Sequence, residues 1–349
     1  MSLTVVQRFY ELAKQQAEAP ALGLWQDGEY HELPWWFVKS KAKHFGLGLL
    51  EEGAREGECF YLLASPHPTW SYAELGALTI GLRTVPLPAE IGAERLEELF
   101  RRHPPVFLYA EAKTFAPLRV LCERSKGLRR VILPEEPEGD PEGLARSFRR
   151  VFNAGIRFES KHHAAYRRIR QGLAEDREMS PLRVAPDGAL EERPLRYGEV
   201  NEACAKLSHA LGAAKARRLL SAADLSRSFA RVACLYWPIF AALQSVFAPP
   251  GEALGPLLRR FRPEALFLNG PWLNPDAGER EGLGKAFALP AEKEQSLGWL
   301  ARRRLRAQLG GRLRCLIGDA ALPPAWARAA AALRLPTLAA SPEAPNFLL

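Results

Sequence analysis

The sequence predicts an α/β protein whose sheets are mostly parallel and covered by helices on both faces. One observation behind this is a series of short apolar runs alternating with amphipathic helical stretches between residues 36 and 133. A second is the return of the same alternation between residues 198 and 338. The third is a composition of 47% hydrophobic and 25% charged residues over 349 positions. That is ordinary for a globular chain able to bury a sizeable core, as two lobes of roughly 150 residues each. Strands and helices that alternate at these lengths need crossover connections, which make neighbouring strands parallel.

In the first series, residues 36–51 place Val38, Ala42, Phe45 and Leu49 on one helical face. The apolar run from Cys59 to Ala64 reads as a buried strand. A helix over 70–80, a strand at 83–85, a helix over 93–103 and a strand at 106–109 follow, then a helix over 115–124 and a strand at 131–133. The stretch 134–143, PEEPEGDPEG, is acidic, rich in Pro and Gly and without apolar periodicity. It is expected to connect the lobes over the surface, with a first α/β subdomain at 1–140 and a second at 141–349. Beyond it the pattern predicts helices at 143–151 and 162–173, a weak strand at 182–185 and a helix over 198–213. An apolar helix over 229–243, a strand at 246–247, a helix over 254–261 and a strand at 265–268 come next. A helix over 297–309, a strand at 313–317 and a helix over 323–335 complete the series, and no short internal repeat interrupts it.

The totals narrow the function classes. Net charge is +8, yet the arginines fall in helix-face clusters such as Arg101-Arg102, Arg129-Arg130 and Arg302 to Arg304, among acids. No basic tail or aromatic-interleaved motif accompanies them, so nucleic acid is not an expected partner. The five cysteines, Cys59, Cys122, Cys204, Cys234 and Cys315, are odd in number and form no C-x-x-C pair, which fits a reducing cytoplasm. The N-terminus does not read as a signal peptide. The most apolar stretch, Ala230 to Pro250, is interrupted by Arg231, Pro238 and Gln244, so no membrane span is expected.

Five collinear stretches resemble the adenylate-forming (AMP-binding) acyl-CoA synthetase family, in particular long-chain fatty acid CoA ligases. Glu58 to Phe100 carries Trp70, Gly81, Val85 and Pro86 at the positions of the family's first block. PALGLWQDGEYHELPWWF, from Pro20, resembles its opening hairpin and first helix. LSRSFARVACLYWPIFAALQSVFA, Leu225 to Ala248, is similar to the block reading L-S-H-x-F-E-R in long-chain ligases. RPEALFLNGPWL, Arg262 to Leu273, resembles the strand and loop after it. LGGRLRCLIGDAALPPAWARAAAALRLPTL, Leu309 to Leu338, resembles the L-G-G-R-L-R and L-P-P block. The resemblance implies two stacked αβα subdomains, like the large N-terminal domain of those enzymes. The second would run to the strand at Thr337-Leu338 that precedes Y-G-x-T-E, with no small C-terminal domain.

The same resemblance states what acyl-adenylate chemistry needs. A loop reading S-G-T-T-G-x-P-K-G holds the phosphates of ATP with backbone N–H groups and a Lys. Here APDGALEERPLRYGEV, Ala185 to Val200, stands in its place; it is shorter, keeps Gly188 and carries Glu191-Glu192 where triphosphate would sit. Asp187 and Gly188 read as a plain surface turn, or else Arg193 or Arg196 substitutes for the Lys. The magnesium-holding Glu of Y-G-x-T-E has no clear equivalent, since Glu343 lies early and between Pro342 and Pro345. The ribose-binding Asp, the hinge and the C-terminal Lys of the family would lie beyond Leu349. Arg227 replaces the His of L-S-H, where it pairs with a carboxylate ligand or is simply solvated. The matching acyl-pocket positions are Tyr236, Trp237, Asn269, Gly270, Gly318 and Asp319, with ordinary core and turn as the competing reading. His162-His163, adjacent on a helix, do not face one another, which argues against a two-His metal site.

These residues predict a catalytically degenerate acyl-CoA synthetase-like protein, a pseudoenzyme with no catalytic residue, no cofactor and no metal, which binds an acyl or other apolar ligand or a protein partner. Two alternatives stay open. One is an active long-chain fatty acid CoA ligase, using ATP and Mg and completed by a separate chain. The other is an interaction scaffold without a ligand; a homodimer fits either.

Overall fold

The structure is a computed structural model and describes residues 2–26, 29–137, 143–185, 188–212, 215–248, 253–269, 272 and 298–339. Two compact units divide the chain. Unit 1 comprises Met1–Ala19, Leu33–Asn201 and Asp224–Ser228, and unit 2 comprises Pro20–Glu32, Glu202–Ala223 and Phe229–Leu349.

The chain opens with helix α1 (Val5–Gln15), strands β1 (Pro20–Gln26) and β2 (Glu29–Pro34), and helix α2 (Trp35–Glu51). Unit 1 continues through β3 (Cys59–Leu63), α3 (Pro68–Thr79), β4 (Arg83–Pro86), α4 (Ala93–Arg102), β5 (Pro105–Ala110), α5 (Ala112–Arg124) and β6 (Arg130–Leu133). Its sheet has the order β4-β3-β5-β6-β7, all parallel, with β7 (Ala145–Ser147) at the edge. Every residue of β3 is buried, so alternate side chains serve two layers. Tyr61 and Leu63 join a core with Leu99 and Phe100 of α4 and Phe115 and Leu118 of α5. On the opposite face the ring of Phe60 lies 6.1 Å from Phe45 of α2, which stacks at 4.6 Å on Phe148. Each such fully buried aromatic contributes about 1.5–3 kcal/mol through the water it releases.

Two expectations for this unit change. Residues 143–151 are not one helix: Ala145 pairs with Val131 in parallel register, and α6 (Phe148–Arg157) begins only after Ser147, whose Oγ accepts from the Arg150 N–H at 3.1 Å. A three-residue edge strand reading Ala-Arg-Ser has no apolar run to announce it. Because β7 returns to the sheet of β6, the acidic stretch 134–143 joins two strands of unit 1, and the boundary expected at residue 140 is not where the units divide. After α6 come α7 (Glu159–Gln171) and two small antiparallel pairs. In these, β8 (Glu178–Ser180) pairs with β11 (Leu195–Arg196), and β9 (Arg183–Val184) pairs with β10 (Leu190–Glu191).

Unit 2 takes the second half of α8 (Tyr197–Leu211) and then β12 (Arg218–Ser221). After β12 come a helical stretch over 228–241, β13 (Gln244–Phe247), α11 (Leu254–Phe261), β14 (Ala265–Leu268), α12 (Trp299–Gln308), β15 (Cys315–Gly318), α13 (Pro324–Leu333) and β16 (Thr337–Ala339). The sheet order is β16-β15-β14-β12-β13-β1-β2, parallel from β16 through β1. The first hairpin therefore completes the sheet of the second unit. Leu258, Phe261, Leu305, Trp326 and Leu333 cover one face of it.

The apolar helix expected over 229–243 is broken into α9 (Ser228–Arg231), a π-helical segment Val232–Tyr236 and α10 (Trp237–Ala241). Pro238 has no N–H to give the Cys234 carbonyl one turn back, and the Ser245 hydroxyl donates to that carbonyl instead, at 2.6 Å. The widened turn follows from this exchange. Ala242 ends the helix in the left-handed region at φ 53°.

Candidate functional site

The segment at the phosphate-loop position is a closed hairpin. Leu190 pairs with Val184 and Glu191 with Arg183. At the turn the Ala185 N–H donates to the Ala189 carbonyl and the Gly188 N–H to the Ala185 carbonyl, both at 2.9 Å. Gly188 sits at φ 90°, which only a residue without a Cβ adopts cheaply. These two N–H groups are spent within the turn, whereas a phosphate cradle leaves its amides pointing at the ligand. Asp187 lies outside the described residues.

The guanidiniums of Arg183 and Arg193 are engaged by an acid of the same chain. Arg183, 4% exposed, donates from Nη2 to Glu199 Oε1 at 2.5 Å and to the Pro194 carbonyl at 2.7 Å. Arg193 approaches the same carboxylate at 3.6 Å, and the Arg196 N–H donates to Glu199 Oε2 at 2.9 Å. Burial alone would raise the Glu199 carboxyl. The hydrogen bonds from Arg183 and the Arg196 N–H, with the charges of Arg183 and Arg193, outweigh it and hold the carboxyl below its ordinary value. Glu192 pairs with Arg102. Of the expected loop residues, Gly188, Arg193 and Arg196 thus belong to one small substructure built on Arg183 and Glu199. Neither Arg183 nor Glu199 stood out in the sequence, because their pairing across 16 positions requires the hairpin first.

Arg227 also lies in unit 1, in the turn before α9 and not within a helix, half-buried. The next residue, Ser228, accepts the Val184 N–H on its Oγ at 3.1 Å, which ties this turn to β9.

The other acyl-pocket positions lie in unit 2. β12 connects to β13 on one side of the sheet, and its other neighbour β14 leads on to β15 and β16 on the opposite side. Such a change of direction leaves a crevice outside the carboxyl ends of the strands. Asn269 stands there, half-buried, one residue past β14, and its Nδ2 donates to the Ala222 carbonyl beyond β12 at 3.1 Å. Its Oδ1 is buried without a hydrogen-bond partner among the described residues. Gly318 ends β15 in register with Leu268, and the Asp319 N–H extends that ladder to the Leu268 carbonyl at 2.9 Å. The Asp319 carboxylate is 2% exposed. Burial first, and then the charge of Asp319, push the Cys234 thiol well above its ordinary value, so this cysteine is no nucleophile. Tyr236 is fully buried in the π segment, and Trp237 donates from Nε1 to Ser208 Oγ at 3.1 Å. These two rings are core, with the indole held in place. Gly270 and Glu343 lie outside the described residues.

His162 and His163 serve different acids, His162 bonding Glu51 at 2.6 Å and His163 lying 3.9 Å from Glu159. Among the described residues no group of three or more His, Cys, Asp or Glu could hold a metal ion, and no helix is long and apolar enough to cross a membrane.

Residues 9–163 match the model of the AMP-binding enzyme family. A search of curated proteins found no match. Among solved structures, the benzoate CoA ligase from Burkholderia xenovorans LB400 aligns with TM-score 0.70 at 15% identity, over 97% of this chain and 61% of its own. The anthranilate CoA ligase AuaEII, in complex with anthranoyl-AMP, gives 0.67 at 18% identity, over 98% and 59%. The N-terminal domain of FACL13 from Mycobacterium tuberculosis gives 0.68 at 13% identity, over 98% and 76%. The chain thus spans about three-fifths of the two full ligases, and identities this low speak for the fold alone. Residues 9–163 carry an AMP-binding-enzyme domain, and the chain as a whole has the mixed α/β fold, with parallel sheets, of the N-terminal domain of adenylate-forming ligases.

Proposed function

We propose that this chain is a catalytically degenerate relative of the adenylate-forming ligases, which forms no acyl-adenylate and keeps, at the strand ends of unit 2, a place for an apolar carboxylate. The observation that carries this reading is the hairpin Arg183–Glu191, in which the Ala185 and Gly188 amides and the guanidiniums of Arg183 and Arg193 are engaged within the chain. A triphosphate brought there would have to displace Glu199 from Arg183 and break the turn, and Glu191-Glu192 would repel it. The residues present at this position do not fit ATP. The strand-end crevice supports the ligand half of the reading, because the buried Oδ1 of Asn269 has hydrogen-bonding capacity left over. An acid of the fatty or aromatic class is the ligand we infer, by analogy with the anthranoyl group that AuaEII holds.

A second reading, ATP- and Mg-dependent adenylation with the remaining family elements on another chain, is favoured by the match of residues 9–163 to AMP-binding enzymes. Melting temperature measured with Mg-ATP, with AMP and with a series of fatty and aromatic acids separates the two. A ligand at about 100 times its dissociation constant adds roughly 2.7 kcal/mol to the folded state, a shift of several degrees. The degenerate reading expects a shift with an acid alone and none with Mg-ATP. A shift with Mg-ATP overturns it, and no shift with any compound leaves a scaffold.

A further inference from the structure

Unit 2 has a second concavity, at the opposite ends of its strands from the strand-end crevice. It is a cleft of about 790 Å³ lined by Glu264, Arg306, Arg312, Arg314, Arg334 and their neighbours. Glu264, Arg314 and Pro336 immediately precede β14, β15 and β16, so the cleft opens at the amino ends of these three parallel strands. It has nothing in common with the residues discussed for acyl or nucleotide binding.

Four guanidiniums face one carboxylate here, and that carboxylate is already engaged, accepting the Arg217 N–H on Glu264 Oε2 at 2.6 Å. Among the described residues the side chains of Arg306, Arg312 and Arg334 have neither an ion pair nor a hydrogen bond. Helix ends explain part of this. Arg306 is in the last turn of α12 and Arg334 caps α13, where the half negative charge of each helix C-terminus attracts a cation. Two such half charges offset about one full positive charge of the four. Arg312 and Arg314 lie on no helix. They flank the buried Leu313 ahead of β15, both are exposed and both line the cleft, Arg314 also donating from Nη1 to the Lys215 carbonyl at 3.3 Å. The two residues before them, Gly310 and Gly311, take φ 83° and 79°, the sharp turn that delivers this strand to the cleft.

We propose that this cleft binds an oligophosphate, a small polyanion with two or more linked phosphoryl groups. The arginines come from three separate segments spread around the cleft, so one monovalent anion would not reach them all, whereas linked phosphoryl groups bridge several. The volume suits a small ligand, and an open cleft in which the guanidiniums of Arg306, Arg312 and Arg334 have no partner among the described residues gives the charge complementarity such a ligand needs.

The test is calorimetric titration of the full chain with inorganic tripolyphosphate at low ionic strength. It compares the wild type, the double variant Arg312→Ala/Arg334→Ala and a charge-matched control, Arg119→Ala/Arg124→Ala, on the exposed face of α5. Expected is one site in the wild type, a dissociation constant weakened at least about tenfold in the cleft variant, and a change under about twofold in the control. All three proteins should share one melting temperature within a few degrees, since the substitutions are exposed. Absence of binding overturns the proposal, as does equal weakening in both variants, which would reduce the effect to net charge. A parallel arm uses phosphatidylserine vesicles and a single-stranded oligonucleotide. If either binds through Arg312 and Arg334 while tripolyphosphate does not, the cleft is a macromolecular docking face and the proposal fails.

Discussion

The hairpin Arg183–Glu191 in unit 1 and the strand ends around Asn269 in unit 2 occupy the two places where the resemblance expects ligand contacts, and they treat their polar groups in opposite ways. In the hairpin, both turn amides have acceptors, Arg183 has Glu199 and Pro194, and Glu192 has Arg102. At the strand ends the buried Asn269 Oδ1 has no hydrogen-bond partner among the described residues. A satisfied polar group gains little by binding, because a ligand only replaces one hydrogen bond with another; an unsatisfied one gains the whole desolvation penalty back. The difference is what the proposed reading rests on: polar groups met within the chain at the hairpin, and one buried acceptor without a partner among the described residues at the strand ends.

The largest expected effect comes from breaking the hairpin's own bond. Arg183→Met keeps most of the volume but leaves Glu199 without its nearest cation, in a site where Arg183 itself is almost fully buried. A loss of about 2–3 kcal/mol is expected from urea unfolding, less than for a fully buried pair because Glu199 is about a third exposed. A loss below about 0.5 kcal/mol would mean that the hairpin is held some other way.

The next effect sharpens the same point through pH. The folded-state value for Glu199 lies below the ordinary 4.5, so the stability it contributes is present above that value and disappears as pH falls through the depressed one. Stability of the wild type should therefore decline between about pH 5 and 3, and the Glu199→Gln variant should decline less over that window. Parallel curves for the two proteins would separate Glu199 from the acid transition.

A smaller effect is expected at the other end. Asn269→Ala removes the bond to the Ala222 carbonyl and the leftover oxygen together, so the net cost should be about 1 kcal/mol by urea unfolding. The melting shift produced by an apolar acid should shrink in this variant. An undiminished shift would place the acid elsewhere.

Much of the fold was legible because its elements announce themselves by pattern. Cys59–Leu63 is a continuous apolar run and became a fully buried strand, and Ala93–Arg102 became a helix buried through Leu96, Leu99 and Phe100. The elements missed are those with no room for a period. β8, β10 and β11 have two or three residues each, and β12 opens on Arg218, whose charge is absorbed by Glu32 and Gln244 in the folded state. Helix α1 carries a sequence signal, the T-x-x-Q capping box in which Thr4 and Gln7 exchange hydrogen bonds. At the candidate site, Gly188 marks the turn, while the Arg183–Glu199 pair needs tertiary structure to exist. Two of the cleft arginines, Arg312 and Arg314, stand in L-G-G-R-L-R, but that they meet Arg306 and Arg334 at one cleft is visible only in the folded chain.

The central claim is that this chain does not form acyl-adenylates, and exchange of radiolabelled pyrophosphate into ATP tests it most directly, in the presence of magnesium and a panel of fatty and aromatic acids. The account predicts exchange no faster than in the absence of protein, for every acid. Acid-dependent exchange above that background would show that the hairpin opens to admit triphosphate, and would contradict the account.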